Sequence, residues 1–194
     1  MSILRIFPGA NDKEFRLRQL INYVVASPEK QVWQGLFFEK TPNMVRASGV
    51  PAEGTTEEIL MSFLLPHMAY GYPGTRLCYH CLLDFNGLLG ANDAGYIAWE
   101  INEYLRTYGV QFLQGVHITK KDGLLFWPHV HVWINSIILF GPDRGRKFRM
   151  EKPVLRGYKE YMNAVLKKYK LPVIPVYEGG GNNDEATDSE SGNG

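Results

Sequence analysis

The sequence is poor in several features that would assign it a class directly. It holds only two cysteines in 194 residues, too few for a disulfide framework. Cys78 and Cys81 form a lone C-x-x-C in an apolar, strand-like run, and no further ligands stand at a convincing zinc spacing. In a strand, positions i and i+3 face opposite sides, so the pair reads as two reduced, buried thiols. No run of eighteen apolar residues exists, so no membrane span is expected. The opening MSILRIFPGANDKEF sets charges within a few residues of its short apolar stretch, unlike a signal peptide. No internal repeat is visible. What remains is a chain with 45% apolar and 21% charged residues, ordinary for a soluble globular domain, and long enough to bury a core.

A net charge of only +1 looks too neutral for a nucleic-acid binder, but the charge is unevenly spread. Residues 178–194 carry Glu178, Asp184, Glu185, Asp188 and Glu190 and no basic residue. Without them, residues 1–177 hold 21 basic against 15 acidic side chains, or +6. Residues 141–170 alone hold ten Lys and Arg against three acids, a density suited either to phosphate contacts or to a solvated helix face. The Gly/Asn/Ser-rich acidic stretch 178–194 has almost no apolar area to bury and is expected to be disordered, leaving one domain over 1–177.

Hydrophobic spacing predicts helices over 14–26 and 91–108; Thr56 followed by Glu57 and Glu58 marks the start of a helix to about Tyr70, and a further helix is expected over 154–169. Strands are expected over 76–85, 110–119 and 129–140, with turns at 71–75 and 121–124 and a loop over 39–54. Strands interleaved with helices imply an α+β or α/β sandwich with helices packed on a sheet.

The most informative stretch is Pro128-His129-Val130-His131-Val132-Trp133-Ile134-Asn135. Residues i and i+2 of a strand share a face, so His129 and His131 project side by side. If 110–119 and 129–138 pair as a hairpin, His117 comes alongside them. Three neutral imidazoles on one rigid face form a divalent-metal site, and an unpartnered imidazole on so apolar a segment would be costly. Asn135, on the same face, is a candidate to orient a ligating histidine. A metal there would polarise a phosphoryl oxygen, with either water or a side chain as nucleophile. Eleven tyrosines leave the choice among them open. Phe126, Trp127 and Trp133 are candidates to stack on unpaired bases or, equally, to pack in the core.

The order of these segments resembles plasmid and transposon relaxases, the mobilisation proteins of the histidine–hydrophobe–histidine endonuclease superfamily. A histidine, a gap, then P-H-x-H with three apolar or aromatic residues and Asn resembles their third motif. Ile21-Asn22-Tyr23-Val24-Val25-Ala26-Ser27-Pro28-Glu29-Lys30 is similar to the first motif, and Tyr79-His80-Cys81-Leu82-Leu83-Asp84-Phe85 to the middle strand. Gly145-Arg146-Lys147-Phe148 and the later Tyr158…Leu171-Pro172-Val173-Ile174 resemble the basic turn, helix and closing segment. The likeness covers about residues 15–175.

The resemblance implies a central, mainly antiparallel sheet flanked by helices, in two or three layers. It implies Tyr23 as the nucleophile that joins the 5′ end of cut DNA, and His117, His129 and His131 as ligands of a divalent metal, Mg2+ or Mn2+. Asn135, His80 and Asp84 take supporting places. Lys30, Lys120, Lys121, Arg144, Arg146, Lys147 and Arg149 are expected to contact DNA. The implied activity is strand-specific nicking and rejoining at a transfer origin. The implied partners are single-stranded DNA, relaxosome accessory proteins and the coupling protein of a type IV secretion system. The implied setting is a bacterial cytoplasm, with transfer to the recipient alongside the DNA. Three positions depart from the pattern. Thr119 stands where an acid is common, Asp84 stands where the family carries serine, and the gap from His117 to His129 is longer than usual. Two alternatives stay open: a rolling-circle replication initiator using Tyr158 or Tyr161, or a catalytically silent single-stranded DNA-binding module.

Overall fold

The run Leu125–Ile138 forms the central strand of a five-stranded antiparallel sheet. The computed structural model describes residues 2–7, 14–25, 45–51, 54–72, 74–121 and 125–176. In chain order the elements are β1 (Ile3–Phe7), α1 (Glu14–Val25), β2 (Val45–Ser48), α2 (Thr56–Ala69), β3 (Cys78–Asp84), α3 (Ala91–Arg106), β4 (Val110–Lys121), β5 (Leu125–Ile138) and α4 (Lys152–Lys168). The strand order is β1-β3-β5-β4-β2. β3 and β4 both pair antiparallel with β5 and therefore run parallel to each other, with α3 making the crossover between them.

Strand alternation divides the side chains between two cores. Val130, Val132 and Ile134 of β5 pack with Val116, Phe112, Cys81 and Leu83 against α3 and α4, where Ile97, Ile101, Tyr158 and Leu166 are fully or almost fully buried. Trp133 of β5, Leu113 of β4 and Cys78 of β3 point the other way, to Leu17 and Ile21 of α1 and Ile59, Leu60 and Phe63 of α2. The result is the expected α+β architecture, in three layers. Cys78 and Cys81 carry reduced thiols buried in opposite cores, as their spacing requires.

Helix α2 opens at Thr56, as expected, behind a capping box in which Thr55 and Glu58 exchange hydrogen bonds. Gly109, expected to stop α3, has φ +66°, and a Cβ there would lie 2.1 Å from the Phe140 carbonyl oxygen. The Gly109 carbonyl in turn accepts from the amides of both Leu139 and Phe140. That close approach ends β5 at Ile138, two residues short of the expected strand end.

Two strands go beyond the sequence expectation. β1 carries no strand signal of its own, and β2 lies inside the expected loop 39–54. Both are edge strands, of five and four residues. Each is held by pairing with a strand distant in sequence, β1 with β3 and β2 with β4, so neither has the length or periodicity that local reading needs. The tail 178–194 and the domain boundary expected at 177 lie outside the described residues.

Candidate metal centre

The hairpin of β4 and β5 pairs His117 directly with His129 and Gly115 with His131. Because β5 alternates, His129 and His131 share the α1/α2 face of the sheet, and His117 joins them from the neighbouring strand. The position opposite His131 is a glycine, so on β4 the imidazole has His117 as its neighbour and no side chain directly across from it. The ring centroids stand 4.8 Å apart for His117 and His131, 4.9 Å for His129 and His131, and 5.9 Å for His117 and His129. One nitrogen from each of the three lies within 4.8 Å of the others.

The most buried of the three, His131, is held unprotonated. His131 is 9% exposed. Burial, and then the neighbouring His117, His80 and His129, push its pKa down to about 2. His131, neutral and beside two further imidazoles, offers a lone pair where a proton is excluded. That donor set fits a divalent transition metal, and all-nitrogen ligation favours Mn2+ and later ions over Mg2+, which prefers oxygen.

His80 supplies the partner of the most buried ligand. It lies on β3 across from Trp133, and its Nε2 stands 2.7 Å from Nδ1 of His131. Burial lowers the His80 pKa to about 4, so this ring is neutral at pH 7. A neutral His80 with bare Nε2 accepts the Nδ1–H of His131, which leaves the Nε2 lone pair of His131 for a metal.

The rings around this pair form a ladder across three strands. Phe7 of β1 stacks on His80 at 4.8 Å and 23°, and His80 stacks on Trp133 at 4.8 Å and 6°. His131 stacks on Trp133 at 5.4 Å. Trp133 is fully buried, so it supports the histidines from within and offers no face to a base. The side chains of Phe126 and Trp127 lie outside the described residues.

The other expected site residues fall into three groups. Asp84 is in register with His129 on the next strand, and its Oδ1 accepts from the Asn86 amide at 2.7 Å. It therefore stands at the rim of the histidine cluster. Asn135 shares the face but is fully buried further along β5. Its Oδ1 accepts from Nε2–H of His67 at 3.0 Å and from the Ile137 amide, and its Nδ2 donates to Phe63 O and Gln111 Oε1. It ties α2 to β4 and β5. Tyr23 lies on α1, which packs on the same face as the histidines through Leu17 and Ile21; its side chain is outside the described residues, as are Lys30, the side chains of Lys120 and Lys121, and the turn at 122–124.

The remaining basic residues gather at the far end of β5. Lys147 bridges to Ile137, six strand positions beyond His131, or roughly 20 Å at 3.3 Å per residue. Arg144 donates to the Tyr70 hydroxyl at 2.7 Å, Arg146 pairs with Asp143 at 2.8 Å, and Arg149 stands 3.6 Å from Glu151. Arg76, Lys147 and Arg149 line one cleft of about 390 Å3 with Thr75, Tyr79 and Met150. Burial, then the charges of Arg76 and Arg149, lower the Lys147 pKa. Sequence reading misses Arg76, which only the β3–β5 pairing brings to this cleft, and the place of Phe7, which depends on the register of an edge strand with no local signal.

Tyr158 and Tyr161 lie on α4, beneath the opposite face of the sheet. Tyr158 is fully buried, its hydroxyl donates to Asn102 Oδ1, and burial raises its pKa well above the usual phenol value. Val116, Val130 and Val132, alternating with the histidines, separate Tyr158 from them.

No family model matches the chain, and no curated protein matches it. A solved structure from work on the molecular basis of vancomycin resistance transfer in Staphylococcus aureus aligns over 92% of this chain and 100% of that one, at 11% identity and a TM-score of 0.59. At that identity the likeness is one of fold. Among the described residues no helix is long and apolar enough to cross a membrane.

Proposed function

We propose that this chain is a metal-dependent transesterase of the relaxase kind, which nicks and rejoins single-stranded DNA at a transfer origin. The observation that carries the reading is the cluster of His117, His129 and His131 on the sheet face that also holds α1, the helix of Tyr23. The fold shared with a protein from resistance-transfer work supports it.

In this reaction the Tyr23 phenol oxygen attacks the scissile phosphorus. The P–O bond to the 3′ oxygen breaks, a 5′-phosphotyrosine forms, and the 3′ oxygen leaves as a hydroxyl after taking up a proton. Attack by a 3′-hydroxyl on the phosphotyrosine reverses the step and rejoins the strand. A free phenol has a pKa near 10, so the proton needs an acceptor, and Asp84 at the rim of the cluster is the carboxylate we assign to that role. The three histidines would hold a divalent metal, Mn2+ by their chemistry, and such an ion would supply Lewis-acid stabilisation of charge on phosphoryl oxygens. His80 keeps His131 in the ligating tautomer. Arg76, Lys147 and Arg149 would hold phosphates several nucleotides away. Relaxosome proteins and a coupling protein are the partners such an enzyme works with.

The initiator reading, with Tyr158 or Tyr161 as nucleophile, is disfavoured by the position of both tyrosines beyond the sheet. The test is a denaturing gel of the full chain with labelled single strands tiled across the DNA flanking its gene, in Mn2+, Mg2+ or EDTA. A metal-dependent band carrying protein and DNA, absent in Tyr23→Phe, is expected. Single-strand binding without such a band under any divalent metal would instead assign a silent binding module.

A further inference from the structure

The ladder Trp133–His80–Phe7 has one rung on each of three adjacent strands, β5, β3 and β1. Its rungs are 4.8 Å apart, the spacing of the strands themselves. Among the described residues β1 is the edge of the sheet, and no further strand supplies a fourth rung. Trp133, at the inner end, is fully buried, whereas Phe7, at the outer end, is 38% exposed. A large aromatic ring at an open edge, backed by two parallel rings, presents one flat apolar face at stacking distance from its next occupant.

The column also leads directly to the metal centre. Phe7 is 4.8 Å from His80, and His80 is 5.0 Å from His131, so the Phe7 ring lies within about 10 Å of a ligating imidazole. From the geometry we infer that Phe7 is a base-stacking residue, whose outer face receives an unpaired nucleobase beside the scissile phosphate. The identity of that polymer rests on the proposed nicking activity. The stacked base continues the ladder as its fourth rung, while its phosphate reaches the histidines. Such stacking uses the π-face that every base has, so Phe7 would fix how far the strand advances rather than read its sequence.

His80 gives the arrangement its rigidity. It is held from one side by Trp133 and joined to His131 at Nε2, so a base seated on Phe7 is indexed to the metal through two ring contacts. A loosely held surface phenylalanine would bind a base but would not fix its distance from the cut.

The experiment measures binding of the full chain to labelled single-stranded oligonucleotides in EDTA, where nicking does not occur. A series replaces each nucleotide in turn with an abasic one. Wild type is expected to lose about ten-fold or more in affinity at one position beside the nick site and less elsewhere. Phe7→Leu, which keeps an apolar cover over His80, is expected to bind the intact strand about ten-fold more weakly and to show no further loss at that position. Phe7→Trp is expected to restore it. Equal Mn2+ affinity and melting temperature in all three chains separate this from misfolding. A wild-type position-specific loss that persists unchanged in Phe7→Leu would overturn the inference, as would an abasic series with no sensitive position.

The nicking activity has a separate readout. A metal-dependent covalent band with an abasic series insensitive to Phe7 would sink the stacking role alone. A Phe7-dependent position with no covalent band would sink the nicking role alone. Absence of single-strand binding would remove both.

Discussion

Nε2 of His80 lies 2.7 Å from Nδ1 of His131, and the two rings are nearly parallel at 19°. The hydrogen bond joins a strand that holds no candidate ligand to the most buried candidate ligand of the cluster. It fixes which nitrogen of His131 faces its fellow histidines.

Removing that partner weakens the centre without touching a ligand. His80→Ala is expected to lower Mn2+ affinity by about 10- to 100-fold, the usual effect of losing a residue that orients a ligating imidazole. His80→Gln, whose amide oxygen accepts the same N–H, should recover most of it. Calorimetric titration of Mn2+ measures both. Wild-type affinity in His80→Ala would mean that burial alone orients His131.

Metal binding should register as stability. At a Mn2+ concentration one hundred times Kd, a site present only in the folded chain adds about 2.7 kcal/mol, or a rise of roughly 5–10 °C in Tm for a domain of this size. The double variant His117→Ala/His129→Ala should melt at one temperature in Mn2+ and in EDTA. A Mn2+ shift preserved in that variant would move the metal to another site.

The acid side of the stability curve has a marker away from the centre. His67 is 2% exposed and donates Nε2–H to Leu77 O at 3.1 Å and to Asn135. Burial, then the nearby Lys147 charge, lowers its pKa from 6.5. The unfolded chain therefore takes up the proton first. Stability on this account is full above about pH 6.5 and falls as the pH drops below it. His67→Gln should be less stable than wild type at pH 7.5, by about 1–2 kcal/mol for a disturbed buried hydrogen bond, and should lose less on acidification. Urea midpoints at pH 7.5, 6 and 5 check this. Parallel decline of the two chains would assign the acid sensitivity elsewhere.

Basic residues far from the histidines should govern salt dependence alone. Arg146→Gln and Arg149→Gln change exposed side chains paired only at the surface. Each phosphate that a variant no longer neutralises should flatten the slope of log affinity against log salt by about 0.7 for a single strand. The position of the covalent junction should stay where it is. An unchanged slope in the double variant would remove both residues from the DNA path.

The centre is legible in the sequence because its information is local. Two-residue alternation puts His129 and His131 on one face, and a turn between two apolar runs brings His117 beside them. The central strands and the helices α1 and α3 carry the same kind of periodic signal, while α2 is marked by Thr56 and the acids that follow it. What depends on long-range pairing is not legible. Phe7 meets His80 only because β1 pairs with β3, 73 positions on by the Phe7↔His80 register, and Arg76 meets Lys147 because β3 pairs with β5 and the turn after β5 brings Lys147 back to Ile137. Parity along the strand makes Asn135 a candidate for orienting a ligand. Parity gives the face but not the distance, and four residues of strand carry Asn135 to α2.

All three candidate ligands fall within one hairpin, with His117 and His129 twelve positions apart. Closing so short a loop costs little chain entropy compared with pairing β1 or β2 to their distant partners. The hairpin can therefore form early, before the sheet is complete. An ion captured at that point would act on the order of events during folding, speeding the first productive contact, as well as on the finished domain. The same segment would be both the seed of the sheet and the seat of its chemistry.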